Sequence, residues 1–357
     1  MKTIQNSFIY IASILVTLRL GFLTYPFYMI VPFLQKNYKF NKNILLYTLF
    51  LLSFFLTKSF FEPDKLLSIE SFKYYFGFTI FLLLFYSSSN KIKNSLVLLI
   101  VIFIISIIIE YFIINYQLLP REYWFNVARP DGTLSHVQTE GDMRPYGIGK
   151  NATITATLLV SFYVHIMTEV NYKYLTNLKL KLIITALFLI SIIFLRSGTG
   201  YFLTIIAFYF IFANTLSKKI IYGLVFGVVF GIIFYIIESN LEGFSRFSLS
   251  YVEYLIGFKS EQIFITLLPQ DYSFINFLFG ALDQRGFTND IGWVPFFYSV
   301  GILGLFMYMI ILLWGVNKYN KKSIFILLLG AWHYPAIFSI PGQILFAYLL
   351  SRRKKNL

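Results

Sequence analysis

The chain has 357 residues, of which 58% are hydrophobic and only 13% charged, with a mean hydropathy of +0.71; a water-soluble globule cannot absorb that much apolar surface. Cysteine is absent, which excludes disulfides, iron–sulfur clusters, thiolate zinc sites and cysteine nucleophiles. The formal net charge of +14 is not gathered into one patch or a nucleic-acid-binding motif, so no nucleic-acid partner is expected.

A spanning helix needs roughly 20 apolar residues to cross a hydrocarbon core of about 30 Å. Residues 7–35 interrupt an apolar run with Arg19, Gly21 and Pro26 and read as a hairpin of two short helices. No small-residue cleavage site follows the apolar stretch that begins near Phe8, so this segment is expected to stay as an anchor. Spans follow at about 43–57, 74–90, 95–116, 150–169, 181–195, 200–217, 220–238 and 292–315. Residues 323–350, broken by His333, Pro335 and Pro341-Gly342, read as a second short hairpin. The expected fold is all-α, a polytopic transmembrane helical bundle of about 12 passes. With no fixed-period repeat and no low-complexity linker, residues 1–357 form a single integral membrane domain.

Charge orients the bundle. Links carrying Lys36, Lys39 and Lys42, then Lys91 and Lys93, then Lys173, Lys179 and Lys181, then Lys218 and Lys219, are almost free of acids. So are Lys318, Lys321, Lys322 and the terminal Arg352, Arg353, Lys354 and Lys355, and by the positive-inside rule all of these face the cytoplasm with both termini. Asp and Glu are read as gathering in the intervening loops at 58–73, 117–150 and 239–291, with Glu169 inside. The two long loops, 117–150 and 239–291, are expected to be extracytoplasmic and to contribute to a site, because long ordered loops are where function tends to sit. Helix-like stretches at Ser250–Phe258 and Glu261–Leu268 would lay apolar faces on the membrane surface.

Three segments carry candidate chemistry. In Arg144-Pro-Tyr-Gly-Ile-Gly-Lys-Asn151 a charged loop enters a helix, and Arg144, Lys150 and Asn151 are placed to grip an anion with the positive end of that helix; an interfacial basic anchor is the alternative. In Arg196-Ser-Gly-Thr-Gly-Tyr201 an arginine between two apolar helices is expensive unless it has a partner or a task. There Gly198 and Gly200 would let backbone N–H groups approach a phosphate. The third segment, 279–294, closes the second long loop, and Asp290 stands where the next helix begins, either as an N-cap acid or as a general base. Arg246 and Arg285 flank that loop and either point over the same cavity or pair with loop carboxylates.

Other chemistries fit poorly. His136, His165 and His333 lie on separate segments without metal-ligand spacing, and His165 reads as a polar residue buried on a helix. The chain contains no Walker A loop, dinucleotide fingerprint or GxSxG elbow. The energy for any reaction would have to come from the substrate.

At these residues the chain resembles the bacterial O-antigen polymerases, the Wzy proteins, and more distantly the O-antigen ligases of the same superfamily. The likeness is architectural along the whole chain. It is more specific at Arg144 to Asn151, at Arg196 to Tyr201, and at Asp290-Ile-Gly-Trp-Val followed by Ser-Val-Gly-Ile-Leu-Gly304. Many relatives carry histidine-asparagine where this chain carries Asn289-Asp290.

The resemblance implies a membrane-embedded glycosyltransferase of the C type that needs neither metal nor other cofactor. It implies transfer of a growing glycan from undecaprenyl pyrophosphate to the non-reducing end of a lipid-linked repeat unit, in O-antigen or capsule biosynthesis, at the periplasmic face of the bacterial inner membrane. Arg144, Arg196, Arg246 and Arg285 would clamp the pyrophosphate, since guanidinium groups stabilise such charge bidentately. Asp290 would take the acceptor hydroxyl proton. Lys150, Asn151, Tyr201 and Asn289 would contact substrate. Expected partners are the lipid-linked oligosaccharides, membrane lipids and a chain-length regulator. Ligation to a lipid A core and flipping of the lipid-linked oligosaccharide remain as alternatives.

Overall fold

The computed structural model describes residues 41–60, 69–116, 118, 145–149, 151–168, 178–212, 274–281 and 291–351, with isolated positions between 221 and 261. The expected N-terminal hairpin, the span at 220–238 and most of both long loops lie outside the described residues. Within them the secondary structure is entirely helical, without a strand. The helices are α1 (Lys42–Ser59), α2 (Phe78–Asn115), α3 (Ala152–Thr168), α4 (Leu178–Leu195), α5 (Gly198–Phe212), α6 (Phe274–Phe279), α7 (Trp293–Gly315), α8 (Lys321–Gly330) and α9 (Ile340–Ser351). A π-helical turn, Phe72–Phe76, precedes α2, and a 3-10 turn, Ala336–Phe338, precedes α9.

Among the described residues two helices are long and apolar enough to cross a membrane, α4 with a mean hydropathy of 2.4 and α7 with 2.3. In α4, Ile184, Phe188, Ile192 and Leu195 face the protein while Leu182, Ile183, Ile190 and Ile193 are exposed. Apolar on both faces, it suits a helix with lipid on one side. In α1, Asn41 caps the helix by accepting from the N–H groups of Asn43 and Ile44. Its buried stripe is Ile44, Thr48, Leu51, Phe55 and Lys58, the spacing of one helix face.

Helix α3 is the hub. It packs against α2, α4, α5, α8 and α9, and every residue except Ile154, Met167 and Thr168 is buried. Tyr163 stacks on Phe188 of α4 at 4.0 Å, and Ser161 donates to the Ser323 carbonyl of α8 at 2.9 Å. His165 is fully buried with its ring edge-on to Tyr348 at 5.5 Å, in keeping with the polar core residue expected there.

The spans read at 74–90 and 95–116 run on as one stretch of helical backbone, α2, through the positions of Lys91 and Lys93. The link expected there contains polar residues but no glycine or proline between 78 and 115, and serine, asparagine and lysine alone do not break a helix. Residues 323–350 fold as α8 and α9, joined by a turn at Gly330–Pro335 and the 3-10 turn.

Helix α7 is broken at Gly301, whose backbone lies at φ 62° and ψ −168°. The break accommodates the end of α6. A Cβ on Gly301 would lie 2.6 Å from the Gly280 nitrogen, and one on Gly280 (φ 87°) would collide with the backbone of Ser299 and Val300. The two glycines allow two backbones to touch where any side chain would separate them. We therefore predict that Gly280→Ala lowers the thermal midpoint of the protein in detergent by several degrees. Positive φ costs a non-glycine residue about 1–2 kcal/mol before any clash, and an unchanged midpoint would contradict the crossing.

Candidate functional site

The structure brings two of the three candidate segments together at the N-terminal end of α3. The loop before α3 is a tight turn at Tyr146–Gly149. Tyr146 and Gly147 donate their backbone N–H groups to the two carboxylate oxygens of Glu110, near the end of α2, at 2.6 and 2.9 Å. Thr155 of α3 grips the turn from the other side. Its hydroxyl donates to the Tyr146 carbonyl and accepts from Gly149 N–H at 3.0 Å. Gly147 has φ +60° and lies against Thr155, so the turn requires glycine there. Glu110 is 6% exposed, a buried carboxylate holding a loop by charge-assisted hydrogen bonds.

The second segment joins the same end. Arg196 sits between α4 and α5 with φ 45°, the sole non-glycine residue at positive φ among the described residues. Its side chain is exposed. Next to it, buried Ser197 donates to the Thr153 hydroxyl of α3 at 3.2 Å and accepts from Gly200 N–H at 3.2 Å. A Cβ on Gly200 would lie 2.8 Å from the Ala156 methyl. Gly200 therefore serves the close approach of α5 to α3, and its N–H is already engaged by Ser197; the phosphate cradle expected of it is occupied. Tyr201, half-buried, has its hydroxyl 3.5 Å from the Ile193 carbonyl, over the turn that carries Arg196. Tyr111, beside Glu110, stacks on Phe194 at 3.8 Å and locks α2 to the same turn.

Asn151 caps α3, its Oδ1 accepting from Thr153 N–H at 2.8 Å and Ile154 N–H at 3.3 Å. Its carboxamide oxygen is engaged by the backbone, which leaves the amide NH2 as the end able to meet a substrate. Arg144, Lys150, Arg246, Arg285, Asn289 and Asp290 lie outside the described residues. The described end of the third segment is held firmly. Gly292 packs on the Ala331 carbonyl and Pro335, and the indole N–H of Trp293 donates to the Leu328 carbonyl at 3.2 Å. Through α8 this point connects to α3, where Gly330 lies against Thr157, one turn below Thr153. Among the described residues no group of three His, Cys, Asp or Glu side chains is placed to hold a metal ion.

Two buried charges escaped the sequence reading. Glu110 interrupts an apolar run, Ile-Ile-Ile-Glu-Tyr-Phe, and a carboxylate in that setting is itself a signal of a partner or a task. Lys58, read as the edge of an acidic loop, is the last member of the buried stripe of α1. It is 7% exposed, and its ammonium donates to the Ser299 carbonyl at 2.5 Å, at the break in α7. No local signal announces that partner, 241 residues away.

Compared with known proteins, the chain matches no protein-family model, no curated protein and no solved structure. The geometry is a rim where a strained, exposed arginine and a carboxylate-clamped loop share one helix end. We predict that Glu110→Ala releases the Tyr146–Gly149 turn, because two buried N–H groups lose their acceptor at a cost of about 1–3 kcal/mol each. Limited proteolysis should then cut between residues 144 and 151 faster than in wild type, with cleavage elsewhere unchanged; equal rates would refute the clamp.

Proposed function

We propose that this chain is a polytopic inner-membrane glycosyltransferase that polymerises lipid-linked oligosaccharide repeat units, taking the growing glycan from undecaprenyl pyrophosphate. The observation that supports the reading is the convergence of the Tyr146–Asn151 and Arg196–Tyr201 segments on the N-terminal end of α3, through Glu110, Thr155, Thr153 and Ser197. These segments, 45 residues apart in the chain, bring the Arg196 side chain and the Asn151 carboxamide to one rim. Arg196 holds a backbone conformation that costs a side-chain-bearing residue about 1–2 kcal/mol, and such strain persists where the surroundings fix it for a purpose.

In this reading the rim faces the periplasm. Arg196 and Arg144, with Arg246 and Arg285, draw charge onto the departing lipid pyrophosphate as the glycosidic bond breaks. Asp290 accepts the proton of the acceptor hydroxyl, and Lys150, Asn151, Tyr201 and Asn289 orient the sugars. The bond that forms joins the acceptor oxygen to the anomeric carbon of the donor glycan. The bond that breaks releases undecaprenyl pyrophosphate, so the substrate supplies its own driving force. A chain-length regulator would act from outside this chain.

A second reading, movement of the same lipid-linked glycan across the bilayer, is favoured by the break in α7, since transporters use discontinuous helices. One experiment separates them. Purified protein in detergent, given undecaprenyl-pyrophosphate-linked repeat units without metal or nucleotide, should build a ladder of lengthening products. Arg196→Ala and Asp290→Ala should each abolish the ladder, with expression and thermal midpoint retained. A full ladder from both variants would sink the assigned site, and no ladder from wild type would favour transport.

A further inference from the structure

At the end of the bundle away from the rim, the link between α7 and α8 is tied to both α5 and α9. Asn320 in that link is 1% exposed. Its Nδ2 donates to the Gly315 carbonyl at 2.9 Å and to the Leu349 carbonyl of α9 at 2.8 Å, and its Oδ1 accepts from Asn317 N–H at 2.7 Å. Asn317 Oδ1 accepts in turn from Tyr319 N–H at 2.9 Å. A Cβ on Gly315 would lie 2.5 Å from a Leu350 methyl, so α7 and α9 touch where the link begins. Lys322, in the first turn of α8, donates its ammonium to the Phe210 carbonyl of α5, and the Phe210 and Phe325 rings lie 5.7 Å apart. A link whose backbone and amide groups are engaged in this way holds one course.

That course sets out cations. Lys318 and Lys321 are exposed, and Lys318 holds its ammonium 5.1 Å from the centre of the Tyr319 ring. Neither forms an ion pair among the described residues. Lys322, half-buried, adds a third charge where α8 meets α5. Since α5 starts just after the Arg196 turn, this group stands about 20 Å from the rim, the length of a 15-residue helix. The acids Glu110 and Glu70 lie away from it, one at the rim and the other beside the start of α9, whose far end meets Asn320. Beside the lysines the surface turns apolar, with Leu313, Phe212 and Phe325 all exposed.

The link leaves the end of α7, a helix of spanning length and hydropathy, so it sits where hydrocarbon gives way to water. A basic link alone marks one side of a membrane. This one adds a fixed backbone, a lysine tied across to a second helix and aromatic surface next to the charges. A soluble anion would meet the lysines and leave that apolar surface uncovered. A zwitterionic headgroup would bring its own cation against Lys318 and Lys321. An anionic phospholipid brings a phosphate without that repulsion, and its acyl chains cover the apolar residues.

We propose that the junction of α5 with the α7–α8 link binds the headgroup of an anionic phospholipid. Lys318 and Lys321 contact the phosphate, Lys322 joins the two elements and adds its charge, and an acyl chain lies over Phe212 and Phe325. The site rests on the membrane placement of α7 and is independent of the glycosyl transfer.

The full chain, purified in a neutral detergent and stripped of lipid, is titrated with phosphatidylglycerol, phosphatidylcholine or glycerol 3-phosphate. The rise in thermal midpoint reads binding, because a ligand held by the folded state stabilises it. Phosphatidylglycerol should raise the wild-type midpoint, and the other two should not. The double variant Lys318→Gln with Lys321→Gln should need about thirtyfold more phosphatidylglycerol, about fivefold for each lysine. Lys179→Gln with Lys181→Gln removes the same charge from the start of α4, at the same end of the bundle, and should titrate as wild type. Native mass spectrometry gives a count that does not depend on the midpoint: one phosphatidylglycerol kept by wild type and by the α4 variant, none by the link variant. An equal response to phosphatidylcholine, a response to glycerol 3-phosphate, an equal loss in both double variants, or no response in wild type would each overturn the proposal. Selective phosphatidylglycerol binding without a polymer ladder keeps this site and refutes the polymerase, whereas a ladder from a chain that shows no such selectivity does the reverse.

Discussion

A backbone N–H or C=O that leaves a helix in apolar surroundings must find its partner within the protein, because neither lipid nor a packed core offers one. The break at Gly301 raises this requirement most sharply. The Tyr298 carbonyl accepts from Ala281 N–H at 2.7 Å, and the Ser299 carbonyl accepts from the Lys58 ammonium. Two remote segments, the end of α1 and the chain after α6, are therefore pinned to the first half of α7 by the same deficit. Hydroxyls inside the helices solve the problem locally. Thr48, Thr157, Thr168, Thr185, Ser191 and Thr204 each donate to the carbonyl four residues back, which lets polar residues sit in apolar helices.

Much of the helical framework was legible because apolar runs of spanning length allow few other structures. What the runs could not convey was where one element touches another. Lys58 reads as solvated until the register of α1 carries it into the stripe begun by Ile44. Gly301 stands in the Ser-Val-Gly-Ile-Leu-Gly304 run that the sequence reads as continuous helix, and only the approach of Gly280 turns it into a break. The polar stretch around Lys91 and Lys93 reads as a link, yet without glycine or proline it keeps helical backbone.

The candidate site was legible to a similar depth. The Arg196 turn stands out as charge between apolar helices, and the structure places it beside the α3 N-terminus. The roles within each segment shifted, because short-range hydrogen bonds claim groups that a sequence leaves open. Asn151 Oδ1 goes to its own helix and Gly200 N–H to Ser197. Glu110 stands alone among isoleucines, away from the loops where the other acids gather, and only its contacts with the Tyr146 and Gly147 N–H groups reveal its part.

The division of labour between rigid and exposed parts follows from these anchors. The rim at α3 is held by buried groups, Glu110, Thr155, Ser197 and Thr153, with the exposed Arg196 beside them. A cleft at the π-helical turn is held in the same way by Gln343, while Glu70 and Lys73 stay exposed at its mouth. In both places a buried polar residue fixes the backbone and a charged residue stands exposed beside it. The cost of burying a polar group in so apolar a chain is offset where it meets backbone that needs a hydrogen-bond partner.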